Sequence, residues 1–394
     1  MSTLKQWQPF LIISIALCIG TLGTALPSPL YPIYQQLWSL LPSDITVIFV
    51  AYMFGCLATI LFLGRTSNTI GFLKTLQIGL FFSIVGLIIS ALAFNITLLA
   101  VGRFVIGISS GLITTAAILG LMAVIPESHK ASASQLSSIV TVVGFALGPV
   151  TGGIFGEFAE YPLITPYVVI LMIAILSLIS LFSVKQTAFE KQQFSAAPHL
   201  QLPEAKSHQQ FWVIGFTAFG IFACFSLYAS LASSFIKDVL PWHGPFMSGA
   251  VISLILFISA VAQFRTRAWG AKKHLNAGLI LMIISQMILA VCMYAEISSL
   301  FFVSILVLGL GHGLGLLGAF AFITQMTDLT NRTAEVSTYL FMGYLGTIIP
   351  IIAVGYGADH FGLINSVIWF CIVMLLLNLM LYIKQKKLTA TSLD

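Results

Sequence analysis

Arg103 and His312 are ionisable residues set inside long apolar segments, and each points to a different chemistry. Arg103 lies in Gly102-Arg103-Phe104-Val105-Ile106-Gly107-Ile108-Ser109-Ser110-Gly111. A charge at the centre of a bilayer costs about 2.5–3.5 kcal/mol on insertion scales. Such an arginine either faces an internal cavity as a fixed charge beside a proton or substrate path, or snorkels to the nearer interface. His312 lies in Gly309-Leu310-Gly311-His312-Gly313-Leu314-Gly315. Its ordinary pKa of about 6.5 suits protonation cycling; the alternative is a neutral ring bonded to a neighbouring helix. Thr24, Ser110, Thr114, Tyr228 and Tyr344 are further cavity candidates near mid-span, though such residues are more often interhelical hydrogen-bonding or packing residues than ligands. No Asp or Glu lies deep in an apolar segment. The nearest are Glu157, Glu160, Glu296 and Asp359 towards one side and Asp328 and Glu335 towards the other. Carboxylates are the usual proton carriers in membranes, so a relay here has to work without them.

Other chemistries find no support. There is no nucleotide-binding loop, catalytic constellation or metal-ligand cluster. The cysteines Cys18, Cys56, Cys224, Cys292 and Cys371 all fall in apolar segments without a CxxC and read as buried small hydrophobes. The expectation is no enzyme, no metal, no bound cofactor and no nucleic-acid partner.

The elements that must position these residues are membrane helices. Of 394 residues, 59% are hydrophobic and 7% charged, against about 25% charged in soluble domains. Apolar runs of roughly 20 residues, the length of a span, recur at 9–29, 46–63, 73–94, 97–124, 135–158, 162–183, 211–235, 246–264, 275–295, 299–325, 335–357 and 363–383. β-barrel strands would alternate residue by residue, so the fold class is an all-α bundle of twelve transmembrane helices. The run starting near Phe10 has no small-residue cleavage site and reads as a retained helix. With both termini cytoplasmic, 15 of 17 basic residues fall in cytoplasmic loops and tails, as the positive-inside rule requires. Only Lys237 lies outside, and Arg103 within a span.

The polar stretch 185–210 divides the spans six and six and reads as a cytoplasmic linker between an N-terminal bundle, 1–184, and a C-terminal bundle, 211–394. The halves repeat. Gly107 and Gly111 match Gly309 and Gly313 at an offset of 202, Pro149 matches Pro350 at 201, and Gly71 matches Gly270 at 199. The alignment sets His312 against Ser110. Such repeats are a transporter architecture, with the site near the midplane at the repeat interface. The first half also carries a side-chain-free stripe, Gly144, Gly148 and Gly152, spaced i, i+4, i+8. Pro149 and Gly153 stand beside it, and the proline removes a backbone hydrogen bond and kinks the helix. In the second half Gly148, Gly152 and Gly153 correspond to Ile349, Ala353 and Val354.

These residues resemble the major facilitator superfamily. Arg103-xxx-Gly107-xxx-Gly111 looks like its span-4 motif, and Gly144 to Gly153 fits its span-5 pattern GxxxGPxxGG. That pattern marks the drug/proton antiporter branches, and Pro27-Ser28-Pro29 resembles the end of span 1 in the same branches. The loop after span 2 departs from the family's GxxxDRxGRK: Gly64 and Gly71 are kept, but Asn68 and Thr69 replace the Asp-Arg pair that helps latch the outward-open state. The first-span acid of some drug antiporters is missing, with Ala25 near its place. The resemblance implies a monomeric secondary transporter in the cytoplasmic (inner) membrane, contacting the lipid bilayer and a small-molecule substrate. It implies efflux of drugs or other small molecules by alternating access, driven by the proton gradient. Uptake or export of one metabolite, such as a sugar or an amino acid, is the alternative. Span 5 is expected to slide and pack against a span of the opposite half, with Pro149 helping to seal the cavity.

Overall fold

A chain this apolar must satisfy its backbone hydrogen bonds internally, and helices do so within each segment. The computed structural model describes residues 3–186, 191–198, 200–327 and 332–391. The helices are α1 (Thr3–Leu22), α2 (Tyr31–Trp38), α3 (Pro42–Ala58), α4 (Thr66–Ile70), α5 (Phe72–Ala91), α6 (Ile96–Val124) and α7 (Ala133–Phe158). They continue as α8 (Thr165–Leu181), α9 (His208–Val239), α10 (Pro245–Thr266), α11 (Ala271–Ala295), α12 (Ser298–Met326), α13 (Arg332–Phe361) and α14 (Leu363–Thr391). Among the described residues, ten are long and apolar enough to cross a membrane, α3 doing so together with the π-turn Thr59–Leu63 that follows it. The other two expected spans are α8, of 17 residues, and α1.

The first span is not one helix from 9 to 29. α1 starts at Thr3 and stops at Leu22, and after a turn the chain makes a 3-10 turn, Ser28–Leu30, before α2. Pro27 and Pro29 are the cause. A proline has no N–H to give to the carbonyl four residues earlier, so Pro27 leaves the carbonyl of Gly23 without its helical donor.

Local signals set the other ends. Asn95 caps α6, its side chain accepting from the N–H of Leu98 at 2.9 Å. Gly71 (φ 86°) and Gly362 (φ 82°) turn the chain into α5 and α14 through a region that favours glycine. Large apolar side chains such as Met172 and Leu176 stand exposed, as lipid contact requires.

The chain forms two compact units, Met1–Trp38 with Ala51–Pro198, and Ser39–Val50 with His199–Asp394. α3 contributes to both. Its start belongs to the second unit, where the N–H of Ser43 donates to Asp359 Oδ1 at 3.1 Å. The second unit is centred on Phe211, Ile214, Leu275, Leu279, Ile323 and Tyr339. Of the expected linker, residues 187–190 and 199 lie outside the described residues, as does Asp328.

Candidate functional site

In the first unit, α6 meets α3 at backbone distance. A Cβ on Gly107 would run into the carbonyl of Tyr52, one on Gly55 into that of Phe104, and one on Gly111 into the side chain of Thr59 at 2.6 Å. This contact brings Arg103, Tyr52 and Ser110 to the broken end of α1. Arg103 is fully buried. Its Nη1 donates to the carbonyl of Gly23 and its Nη2 to that of Thr24, both at 2.7 Å. The first of these acceptors is the carbonyl that Pro27 deprives of a helical donor. The N–H of Ser28, which would serve Thr24 in a regular helix, donates to Ala25 instead. The guanidinium also lies 4.6 Å from the centre of the Tyr52 ring, a cation–π distance. It is thus held by two carbonyl dipoles at the negative end of a helix and by an aromatic face. Tyr52 donates to Ser110 Oγ at 2.8 Å and, that proton used, accepts from Thr24 Oγ1 at 2.7 Å.

Arg103 is therefore buried within the unit and does not snorkel to an interface. The broken helix offers two carbonyl acceptors to its Nη atoms inside the unit. Thr24 and Ser110 are likewise engaged with protein neighbours, while Thr114 is half-buried. The sequence reading missed Tyr52. An aromatic hydroxyl in the middle of span 2 was the available signal, of the same kind as Tyr228 and Tyr344. It also missed the buried pair Tyr34 and Tyr167, whose hydroxyls are 3.2 Å apart.

The glycine stripe of α7 packs against α1, a helix of the same unit. A Cβ on Gly144 would meet Thr21 Oγ1, one on Gly148 the carbonyl of Leu22, and one on Gly152 the carbonyl of Leu26. The stripe follows α1 through its break, where exposed carbonyls leave no room for a side chain. α7 runs as one helix through Pro149, and Pro149 and Gly153 are buried.

The second unit repeats the backbone contact with α12 and α10. A Cβ on Gly313 would meet the carbonyl of Ser259, and one on Gly309 Ile258 at 2.8 Å. Here the polar seam is neutral. His312 Nδ1 lies 2.9 Å from Ser259 Oγ, which also accepts from Gln263 Nε2 at 3.2 Å. Ser259 retains its own proton, and donating it to Nδ1 fits a neutral imidazole protonated on Nε2. The ring of Phe225 in α9 lies 5.4 Å away. One turn further along α10, Thr266 donates to the carbonyl of Ala262 at 2.7 Å and pairs with His274 Nε2 at 2.9 Å. The charged residues of the helices around His312 stand at their ends: Lys237 and Asp238 on α9, Arg265 on α10, Lys272 and Lys273 on α11. Tyr228 donates to Ser304 Oγ at 3.2 Å and packs on Phe235 and Phe301. Tyr344 is half-buried beside Phe222, 6.0 Å between ring centres.

The loop after span 2 uses contacts other than an Asp-Arg pair. Gly64 ends the π-turn, Asn68 is exposed on α4, and Gly71 turns the chain into α5. Part of the 185–210 stretch lies along this loop. The N–H of Gln192 donates to the carbonyl of Asn68 at 3.0 Å, Arg65 donates to the carbonyl of Ala197 at 3.1 Å, and Gln186 Oε1 accepts from the N–H of Leu73 at 2.9 Å. In the second unit, Gln201 exchanges two hydrogen bonds with Thr338 of α13.

Comparison with known proteins accounts for this arrangement. Residues 13–272 and 264–392 match the model of the Major Facilitator Superfamily. Among curated relatives, the riboflavin transporter RibZ of Clostridioides difficile is 23% identical over 158 residues, 40% of this chain and 35% of that protein. A triacylglyceride transporter of Mycolicibacterium hassiacum is 30% identical over 57% of this chain and 39% of its own length. The quinolone resistance protein NorA of Staphylococcus aureus is 29% identical over 35% of this chain and 36% of its own. The chain thus spans well under half the length of the curated relatives it matches. Among solved structures, an inward-facing, occupied bacterial homolog of the human lysosomal transporter Spinster superposes with a TM-score of 0.75 at 13% identity, covering 98% of both chains. A D-xylose–proton symporter gives 0.74 at 13% identity, over 95% of this chain and 97% of its own. A multi-pass helical membrane protein with paired glycine-packed seams and this match over nearly its whole length is a transporter and not an enzyme, and the chain belongs to the Major Facilitator Superfamily.

Proposed function

We propose that this transporter exports drugs or other small molecules across the cytoplasmic membrane by alternating access, driven by the proton gradient. It would act as a monomer with both termini cytoplasmic and with bundles 1–184 and 211–394 joined by the 185–210 linker. The observation that carries the reading is the first unit's arrangement: the Gly144–Gly153 stripe laid along the break in α1, with Arg103 fixing the same break. The stripe belongs to a pattern of drug/proton antiporters, and the matched region of NorA supports the same direction. In this reading Arg103 is structural and permanently charged. His312, bonded to Ser259 within spans that hold no carboxylate, is the proton carrier.

Export of one specific metabolite, or its uptake, is the second reading, favoured by the resemblance to the riboflavin transporter and to the sugar symporter. A susceptibility and efflux panel across chemical classes, run at two external pH values in cells with and without the protein, separates the two. Export of several unrelated compounds, faster at acidic external pH, supports the first. Net accumulation of a single nutrient refutes it.

A further inference from the structure

The second unit carries an apolar groove. It holds about 400 Å³ between α10, α11 and α12, and its walls include Phe257, Val261, Leu281, Leu310 and Leu314. Phe257 and Val261 are exposed, at 61% and 42%, so the groove opens on the surface of the helices. From Phe257 to Arg265 it runs eight residues along α10, about 12 Å at 1.5 Å per residue. The hydrocarbon depth of one leaflet is about 15 Å. The groove therefore has the reach of a single acyl chain.

Its end is cationic. Arg265 and Thr266 line the mouth, and Arg265, Arg267, Lys272 and Lys273 fall within nine residues that contain no acid. Arg267 sits over the ring of Phe264 at 5.0 Å and Lys273 over Trp269 at 4.0 Å. Among the described residues, Arg265 makes no ion pair. Two other basic residues have partners, Lys130 with Glu127 and Arg65 with the carbonyl of Ala197. An indole beside cations at the membrane boundary is a headgroup-level arrangement.

We infer that this groove binds an anionic phospholipid, one acyl chain lying between α10, α11 and α12 and the phosphate at Arg265. The basic end supplies headgroup selectivity of the kind seen in cationic pockets between helices.

The test uses the full chain purified in detergent. Native mass spectrometry compares retention of phosphatidylglycerol with that of phosphatidylcholine bearing the same acyl chains. The wild type is expected to retain more phosphatidylglycerol. Arg265→Gln should lower that retention about fivefold, one cation's share, and leave phosphatidylcholine unchanged. Val261→Trp, which fills the groove from its exposed side, should lower both lipids, and Leu310→Phe serves if that variant does not elute as a single species. Lys130→Gln should change neither. Equal retention of the two lipids by the wild type overturns the inference. So does an equal loss in Lys130→Gln and Arg265→Gln, or undiminished lipid in the groove-filling variant.

Discussion

The α6–α3 seam of the first unit and the α12–α10 seam of the second are built on one plan and loaded differently. In both, paired glycines let two helices approach at backbone distance, and a mid-span side chain reaches across to a hydroxyl: Ser110 to Tyr52, His312 to Ser259. The first seam also carries a cation that cannot lose its proton, held by the carbonyls of Gly23 and Thr24. The second carries only an imidazole, a group that can gain and lose a proton. A shared scaffold thus separates a permanent charge, which fixes backbone, from a switchable one.

Breaking the first seam should have the largest effect. Arg103→Ala orphans two buried carbonyls at about 1–3 kcal/mol each. It should sharply lower the folded yield and the melting temperature in detergent. Arg103→Lys should recover only part of that, because one ammonium cannot reproduce the two-pronged contact. Equal stability of Arg103→Ala and wild type would remove the fixed-charge half of the comparison.

Next comes the stripe. Gly152→Ala places a methyl group against the carbonyl of Leu26, and overpacking of this kind costs about 1–3 kcal/mol. The corresponding position in the second unit is already Ala353, so Ala353→Gly should shift the melting temperature far less. Gly148→Leu, opposing the carbonyl of Leu22, should abolish efflux; undiminished efflux would show that the contact with α1 tolerates bulk.

His312→Gln keeps a hydrogen bond to Ser259 within reach and should change stability by under about 1 kcal/mol. Its expected mark is a flattened dependence of efflux on external pH. A wild-type pH profile in this variant would move the proton elsewhere. Tyr52→Phe should have a stability effect of similar size. It removes the hydroxyl between Thr24 and Ser110 and keeps the ring under Arg103, for about 0.6 kcal/mol, the average of an interhelical hydrogen bond in a membrane, at each of the two bonds lost.

Much of the frame was legible in the sequence. The spans announced themselves by length and hydropathy, and Arg103 and His312 by standing where charge is expensive. Their partners were harder to read. A backbone carbonyl has no letter of its own, yet Pro27 four residues after Gly23 marks the orphaned acceptor that Arg103 fills, and that signal was available. Ser259 and Tyr52 were hidden because hydroxyls are common in apolar helices and only packing selects which of them meet. The stripe 144–148–152 declared a close approach without declaring to what. Its match is the exposed backbone of a broken helix, a surface that side-chain patterns do not describe.

The bond between Arg103 and Gly23 joins residues 80 positions apart, and that separation has a consequence for biosynthesis. At about 5–20 residues per second, the ribosome delivers Arg103 roughly 4–16 s after Gly23. Through that interval the first span sits in or beside the translocon with a break it cannot satisfy. When the fourth span arrives, it brings a charge that is costly to insert alone. Each segment is a poor membrane passenger until the other is present, so insertion of the fourth span and closure of the first become one event in the maturation of the chain.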